Sequence, residues 1–127
     1  MGEGLSISVQ DGKERFIPGE SVSGTLRWDL MRPPENLALR LFWYTEGKGD
    51  QDAEIVAEER YDVTTASGDR SFRFTLPEGP YSFSGSLVSL SWAIEAVASQ
   101  PDSMSRVGIV VGPDGREILL PGHASEG

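Results

Sequence analysis

The sequence predicts an all-β protein, an antiparallel sandwich of immunoglobulin-like type. Three observations carry that expectation. Apolar residues recur with a period of two along most of the chain, which is the signature of strands with one face buried. Fifteen glycines and eight prolines are spread out as punctuation between these runs, and no linker, repeat or low-complexity tract interrupts them. No segment carries capped 3.6-residue periodicity. The length, 127 residues, suits one core, so residues 1–127 are read as a single domain.

Leu5, Ile7 and Val9 alternate with Ser6 and Ser8, ahead of a turn at Gln10–Lys13. Arg15-Phe16-Ile17 reads as a short second strand, broken by Pro18-Gly19. Val22, Gly24, Leu26, Trp28 and Leu30 mark one face of the next strand, which Pro33-Pro34 ends because proline cannot donate to a ladder. Leu37 to Thr45 is apolar on both parities: Leu37, Leu39, Leu41 and Trp43 against Ala38, Phe42 and Tyr44. That pattern predicts a central strand with both faces largely covered.

Ile55, Ala57, Tyr61 and Val63 share a parity, with Glu59 as the exception. The helix formers in Glu54–Arg60 compete with this reading, but the alternation and turn spacing favour a strand. Phe72, Phe74 and Leu76 form the next inward face. Pro77–Gly85 reads as a loop. Val88, Leu90, Trp92, Ile94, Ala96 and Ala98 give the longest apolar face in the chain, and Val88 to Ala96 on that face are expected to line the core. Val107, Ile109 and Val111 lead into Pro113-Asp114-Gly115, a tight-turn sequence. Ile118-Leu119-Leu120 is expected to return as a strand, and Gly122–Gly127 to be a frayed tail.

Three stretches resemble the N-terminal half of the arrestin fold. Pro18-Gly19-Glu20-Ser21-Val22-Ser23-Gly24 is similar to the family's Pro-Gly-Glu-x-Val-x-Gly signature. Leu76-Pro77 followed by Pro80-Tyr81-Ser82 resembles its Leu-Pro and Pro-Tyr loop. Val88 through Trp92-Ala93-Ile94-Glu95-Ala96 is similar to the long aromatic-bearing strand that follows. Order and spacing agree over roughly residues 5 to 98. The resemblance implies an arrestin-like sandwich that acts as an adaptor or scaffold. Two departures qualify it. Arrestins usually carry two such sandwiches, and this length holds one. The first strand, Leu5-Ser6-Ile7-Ser8-Val9, lacks the lysine pair of the phosphate sensor, so that role is not implied.

Composition excludes several chemistries. There is no cysteine, so disulfides, thiolate sites and Cys nucleophiles are absent. The single histidine, His123, stands near the C-terminus without a partner that would make it a catalytic base. No serine lies in a Gly-x-Ser-x-Gly elbow. Eleven basic against twenty acidic residues give a formal charge of −9, which disfavours nucleic acid. No apolar run is long enough to span a bilayer, and Met1-Gly2-Glu3-Gly4 lacks the basic and apolar regions of a secretory signal. The expectation is a non-enzymatic, cytoplasmic chain without cofactor or bound metal.

Glu20 is read as a turn carboxylate that accepts backbone N–H groups or pairs with Arg15. Glu46, Asp50, Asp52 and Glu54 are read as a solvated acidic loop. The Ca²⁺-loop pattern fails, because the sixth position from Asp50 is Ile55 and the twelfth is Tyr61. Trp28, Trp43 and Trp92 lie on the apolar parity of their strands and are expected in the core. Five residues are candidates for partner contact: Tyr81, Phe83 and Leu87 around the Pro/Gly/Ser loop, and Trp43 with Tyr44. The functional expectation is a protein-binding scaffold module, with a homodimer through an edge strand as a further expectation. The competing expectation is a small-molecule or carbohydrate-binding sandwich that uses Trp43, Tyr44 and the acidic loop, assisted by Ca²⁺.

Overall fold

The computed structural model describes residues 4–47, 51–85 and 87–119. Ten strands form among them. The smaller sheet has the order β1-β3-β6, from β1 (Gly4–Val9), β3 (Ser21–Asp29) and β6 (Ser67–Thr75). The larger sheet is built around β4 (Asn36–Gly47) and β8 (Val88–Ser99), which pair antiparallel over their full twelve residues. Outside β4 lies β5 (Ala53–Tyr61); beside β8 lie β9 (Ser103–Val111) and the short β7 (Phe83–Ser84). Glu54–Arg60, the best helical candidate, is strand. The one helical element among the described residues is a 3-10 turn at Gln10–Gly12.

The two sheets stack their apolar parities against each other. Leu26, Trp28, Phe72 and Phe74 come from the smaller sheet, and Leu39, Leu41, Trp92, Ile94 and Val111 from the larger. All are buried, because two amphipathic sheets have only each other to cover their apolar faces. In β8, Leu90, Trp92, Ile94, Ala96 and Ala98 are buried as the parity predicts, while Val88 at the strand's start is only half-buried.

Close packing between strands needs glycine at Gly68. It pairs with Trp28, and a Cβ there would lie 2.7 Å from the indole ring. That ring is fixed by Trp28 Nε1, which donates to the Thr65 carbonyl at 3.1 Å.

Three expectations are corrected. Ile55 does not face the core. A register shift between Leu41 and Phe42 places Ala57 opposite Leu41 and Ile55 opposite Phe42, so Val56 is the extra residue of a bulge. Val56 and Ala57 then pack on the core, and Ile55 points outward, 54% exposed. The segment after Pro113-Asp114-Gly115 does not return along β9. It forms β10 (Ile118–Leu119), which pairs parallel with β7. The ladders are therefore not all antiparallel, since β2 (Arg15–Phe16) also pairs parallel with β9. Pro77–Gly85, read as a loop, contains β7. Leu120 and the tail with His123 lie outside the described residues.

Candidate interaction surfaces

Trp43 and Tyr44 are neighbours in a strand, so they point to opposite faces. Trp43 faces inward and packs on the core beside Trp92, its cross-strand partner. Tyr44 faces outward. A single aromatic platform of Trp43 and Tyr44, the basis of the carbohydrate reading, is therefore not what this strand builds.

Outward from β4, the register lines up residues into rows across four strands. Glu58, Arg40, Glu95 and Arg106 make one row of alternating charge. Arg40 Nε bonds Glu58 at 2.7 Å, and Arg106 Nη2 bonds Glu95 at 2.8 Å. The Arg40 and Arg60 guanidiniums hold the Glu58 carboxyl below its ordinary pKa, Arg40 contributing first. Its hydrogen bond to Glu95 keeps Arg106 charged above the usual arginine value. The next row contains Ile55, Phe42 and Ala93. Arg106 reaches from its own row over the Phe42 ring at 5.0 Å and the Tyr44 ring at 5.5 Å. Its guanidinium plane covers apolar rings while its N–H groups stay on Glu95, which is how an outward phenylalanine ends up buried.

Beyond Tyr44 lies an open groove of about 560 Å³, lined by Tyr44, Thr45, Glu46, Gln51, Asp52, Ala53 and Arg106. The Thr45 hydroxyl accepts from the Asp52 amide at 2.8 Å, and the Thr45 amide donates to the Asp52 carbonyl at 2.8 Å. These bonds fasten the neck of the acidic loop. The carbonyl of Asp52 is thus committed inside the chain, and its side chain and that of Glu54 are exposed. Asp50 lies outside the described residues. Among the described residues, no cluster of three His, Cys, Asp or Glu side chains is arranged to hold a metal ion.

The Pro77–Gly85 segment is held by buried bonds. Trp92 Nε1 donates to the Pro80 carbonyl at 2.8 Å. The Ser82 amide donates to the Val111 carbonyl at 2.7 Å, and Ser82 Oγ accepts from the Val111 amide at 3.0 Å. The Ile118 amide donates to the Ser82 carbonyl at 2.9 Å. Ser82 is buried as a result, and the two residues that flank it are fixed in direction. Tyr81 points out, 37% exposed. Phe83 packs on the core between Leu90 and Ile118, so it is a core-margin residue and not a free contact. Leu87 is 63% exposed, beside Gly47. Ile118 and Leu119, 37% and 59% exposed, add apolar surface on β10. Sequence reasoning did not assign these two to a surface, because the parallel pairing that places them beside β7 has no local signal.

Glu20 accepts from the Ile17 amide at 3.0 Å, and its ion partner is Lys13, not Arg15. Lys13, then the Ile17 N–H, lowers the carboxyl's pKa. Its role is to fix the Pro18-Gly19 turn.

No protein-family model and no curated relative matches the chain. Among solved structures it is similar to Spo0M, a sporulation control protein from Bacillus subtilis, with a TM-score of 0.64 at 18% identity. The fold is an arrestin-like β-sandwich. The match covers 85% of this chain and 48% of the Spo0M chain, so the chain spans about half the length of that neighbour. Among the described residues no helix is long and apolar enough to cross a membrane.

Proposed function

We infer that the chain is a non-catalytic, cytoplasmic interaction module related to arrestin-domain scaffold proteins, which binds a protein partner through exposed apolar side chains around β7 and β10, namely Tyr81, Leu87 and Leu119. The observation that carries this reading is the rigid presentation of exposed apolar side chains. Tyr81 and Leu119 stand on backbone that Trp92, Ser82 and β7 hold in place, and Leu87 is exposed just ahead of β8. Exposed apolar surface of this kind favours association, and a fixed backbone lowers the ordering cost of binding. The likeness to a sporulation control protein supports a regulatory role without identifying a partner.

The test is comparative capture. Proteins retained by the wild-type chain are compared with those retained by a Tyr81→Ser/Leu87→Ser variant whose melting temperature is unchanged, and each captured protein is then purified and titrated directly. At least one protein should bind the wild type and lose roughly tenfold or more in affinity for the variant. Equal binding to both chains, or no direct binding by any captured protein, would overturn the reading.

A further inference from the structure

One side of the sandwich is closed and the other is open. On the closed side β1 abuts β9: a Cβ on Gly4 would lie 3.0 Å from Ser103 Oγ. β2 continues the cover, since Val110 and Gly112 donate to the Glu14 and Phe16 carbonyls at 2.8 and 3.1 Å. On the open side lie the outer edges of β5 and β6. Among the described residues each pairs with a single neighbour, β4 and β3 respectively.

The two open edges differ. β5 is bulged at Val56 and carries Glu54, Glu58 and Glu59 against Arg60. A bulge and like charges are how natural edges avoid pairing. β6 has no bulge, and Arg70, on the parity of Phe72 and Phe74, is its one inward-side charge. Its nine residues pair in unbroken register with β3, from Ser67 opposite Asp29 to Thr75 opposite Ser21. It contains no proline, and its charges are Asp69, Arg70 and Arg73.

We propose that β6 pairs antiparallel with β6 of a second copy of this chain, about a two-fold axis through Ser71. A two-fold perpendicular to a sheet keeps each face on its own side, so residues of like parity must oppose each other. With the axis at Ser71, Asp69 opposes Arg73 of the second copy, and Arg73 opposes its Asp69. Ser67 opposes Thr75 at the two ends. Moving the axis to Asp69, Arg70 or Arg73 sets a charged residue against itself, and moving it to Phe72 forms neither charge pair. The charge pattern thus selects one register. Directly opposed residues in antiparallel strands bring Cβ atoms within about 5.5 Å, close enough for opposite charges to attract. Among the described residues neither Asp69 nor Arg73 is within ion-pair distance of a partner, although Arg27 stands opposite Asp69 in β3 and shares that carboxylate's charge with Arg73 of the second copy. The strand is also locally basic, which offsets the repulsion between two chains of net charge −9.

The experiment is sedimentation equilibrium of the full chain over micromolar to millimolar concentration, with melting temperature as the check on folding. The wild type should dimerise, and more weakly as salt screens the two ion pairs. Asp69→Arg alone and Arg73→Asp alone each create two like-charge pairs and should raise the dimer Kd by about tenfold or more. The double variant Asp69→Arg/Arg73→Asp restores opposite charges and should return the Kd to near the wild-type value. A wild-type chain that stays monomeric throughout overturns the proposal. So do single variants that dimerise as well as the wild type, or a double variant no tighter than the singles. The margin at Tyr81 and Leu87 plays no part in this pairing, so either result leaves the partner-capture test independent.

Discussion

At the scale of single residues, polar groups here mostly fix turns and surfaces. Ser82 is buried among apolar neighbours, and it is tolerated there because its amide, hydroxyl and carbonyl all find partners across the strands. Glu20 does similar work at the surface, holding the Ile17 amide and the Lys13 ammonium on one carboxylate. Lys13 first, then the Ile17 N–H, depresses its folded pKa below the ordinary 4.5. A depressed carboxyl contributes stability that is present above the unfolded pKa and lost as pH falls through the folded one. Glu20→Gln keeps an acceptor for the Ile17 amide and removes the charge. At pH 7 it should therefore destabilise by no more than about 1 kcal/mol, as expected of a solvent-accessible pair. Urea unfolding from pH 7 downward should show the wild-type advantage shrinking as pH drops below about 4.5 and vanishing in stronger acid. An advantage that persists undiminished in acid would show that Glu20 does not act as a charged group.

At the scale of strands, the period-two pattern was legible wherever a strand runs straight between two sheets. The inward parities of β3, β6 and β8 follow directly from the alternation, since each inward residue meets the other sheet's apolar face. The pattern failed at β5, where Val56 adds a residue and turns Ile55 outward. A bulge depends on how two strands twist against each other, and nothing in Ala53–Tyr61 alone encodes it. The same reasoning explains the candidate surface. Exposure at Tyr81 and Leu87 could be suspected from a Pro/Gly/Ser segment. The inward turn of Phe83, and the company of Ile118 and Leu119, required the parallel pairing of β10 with β7. Trp43 and Tyr44, adjacent in sequence, do not form one patch, because alternation itself separates them. The bulge makes a sharp forecast. Ile55→Ser should change stability by less than about 0.5 kcal/mol, and Val56→Ala should cost about 1 kcal/mol. Chemical denaturation of both variants would measure this, and the reverse order would restore a regular, unbulged β5.

At the scale of the whole molecule, cohesion is concentrated in the middle of the larger sheet. β4 has β5 on one side and β8 on the other, and β8 has β4 and β9. Their inward residues, Leu39, Leu41, Trp92 and Ile94, are among the most deeply buried side chains, and Arg106 covers part of the outward face over Phe42. Opening either strand breaks ladders on two sides and exposes core, so it should not occur short of global unfolding. The open side differs. Half of the amides of β5 and of β6 point away from their one neighbour in the chain, and their release breaks no ladder. Local opening free energies within one domain range from near zero to the full stability, ordered by such differences. Hydrogen exchange on dilute, monomeric protein should therefore find the slowest amides in β4 and β8, with exchange governed by global unfolding. The outward amides of β5 and β6 should exchange fastest among strand residues. Raising the protein concentration until β6 self-pairs should slow its outward amides while those of β5 stay fast, because the bulge and the three glutamates keep β5 from pairing. Equal protection of both edges at every concentration would contradict the division of this sandwich into a guarded edge and an available one.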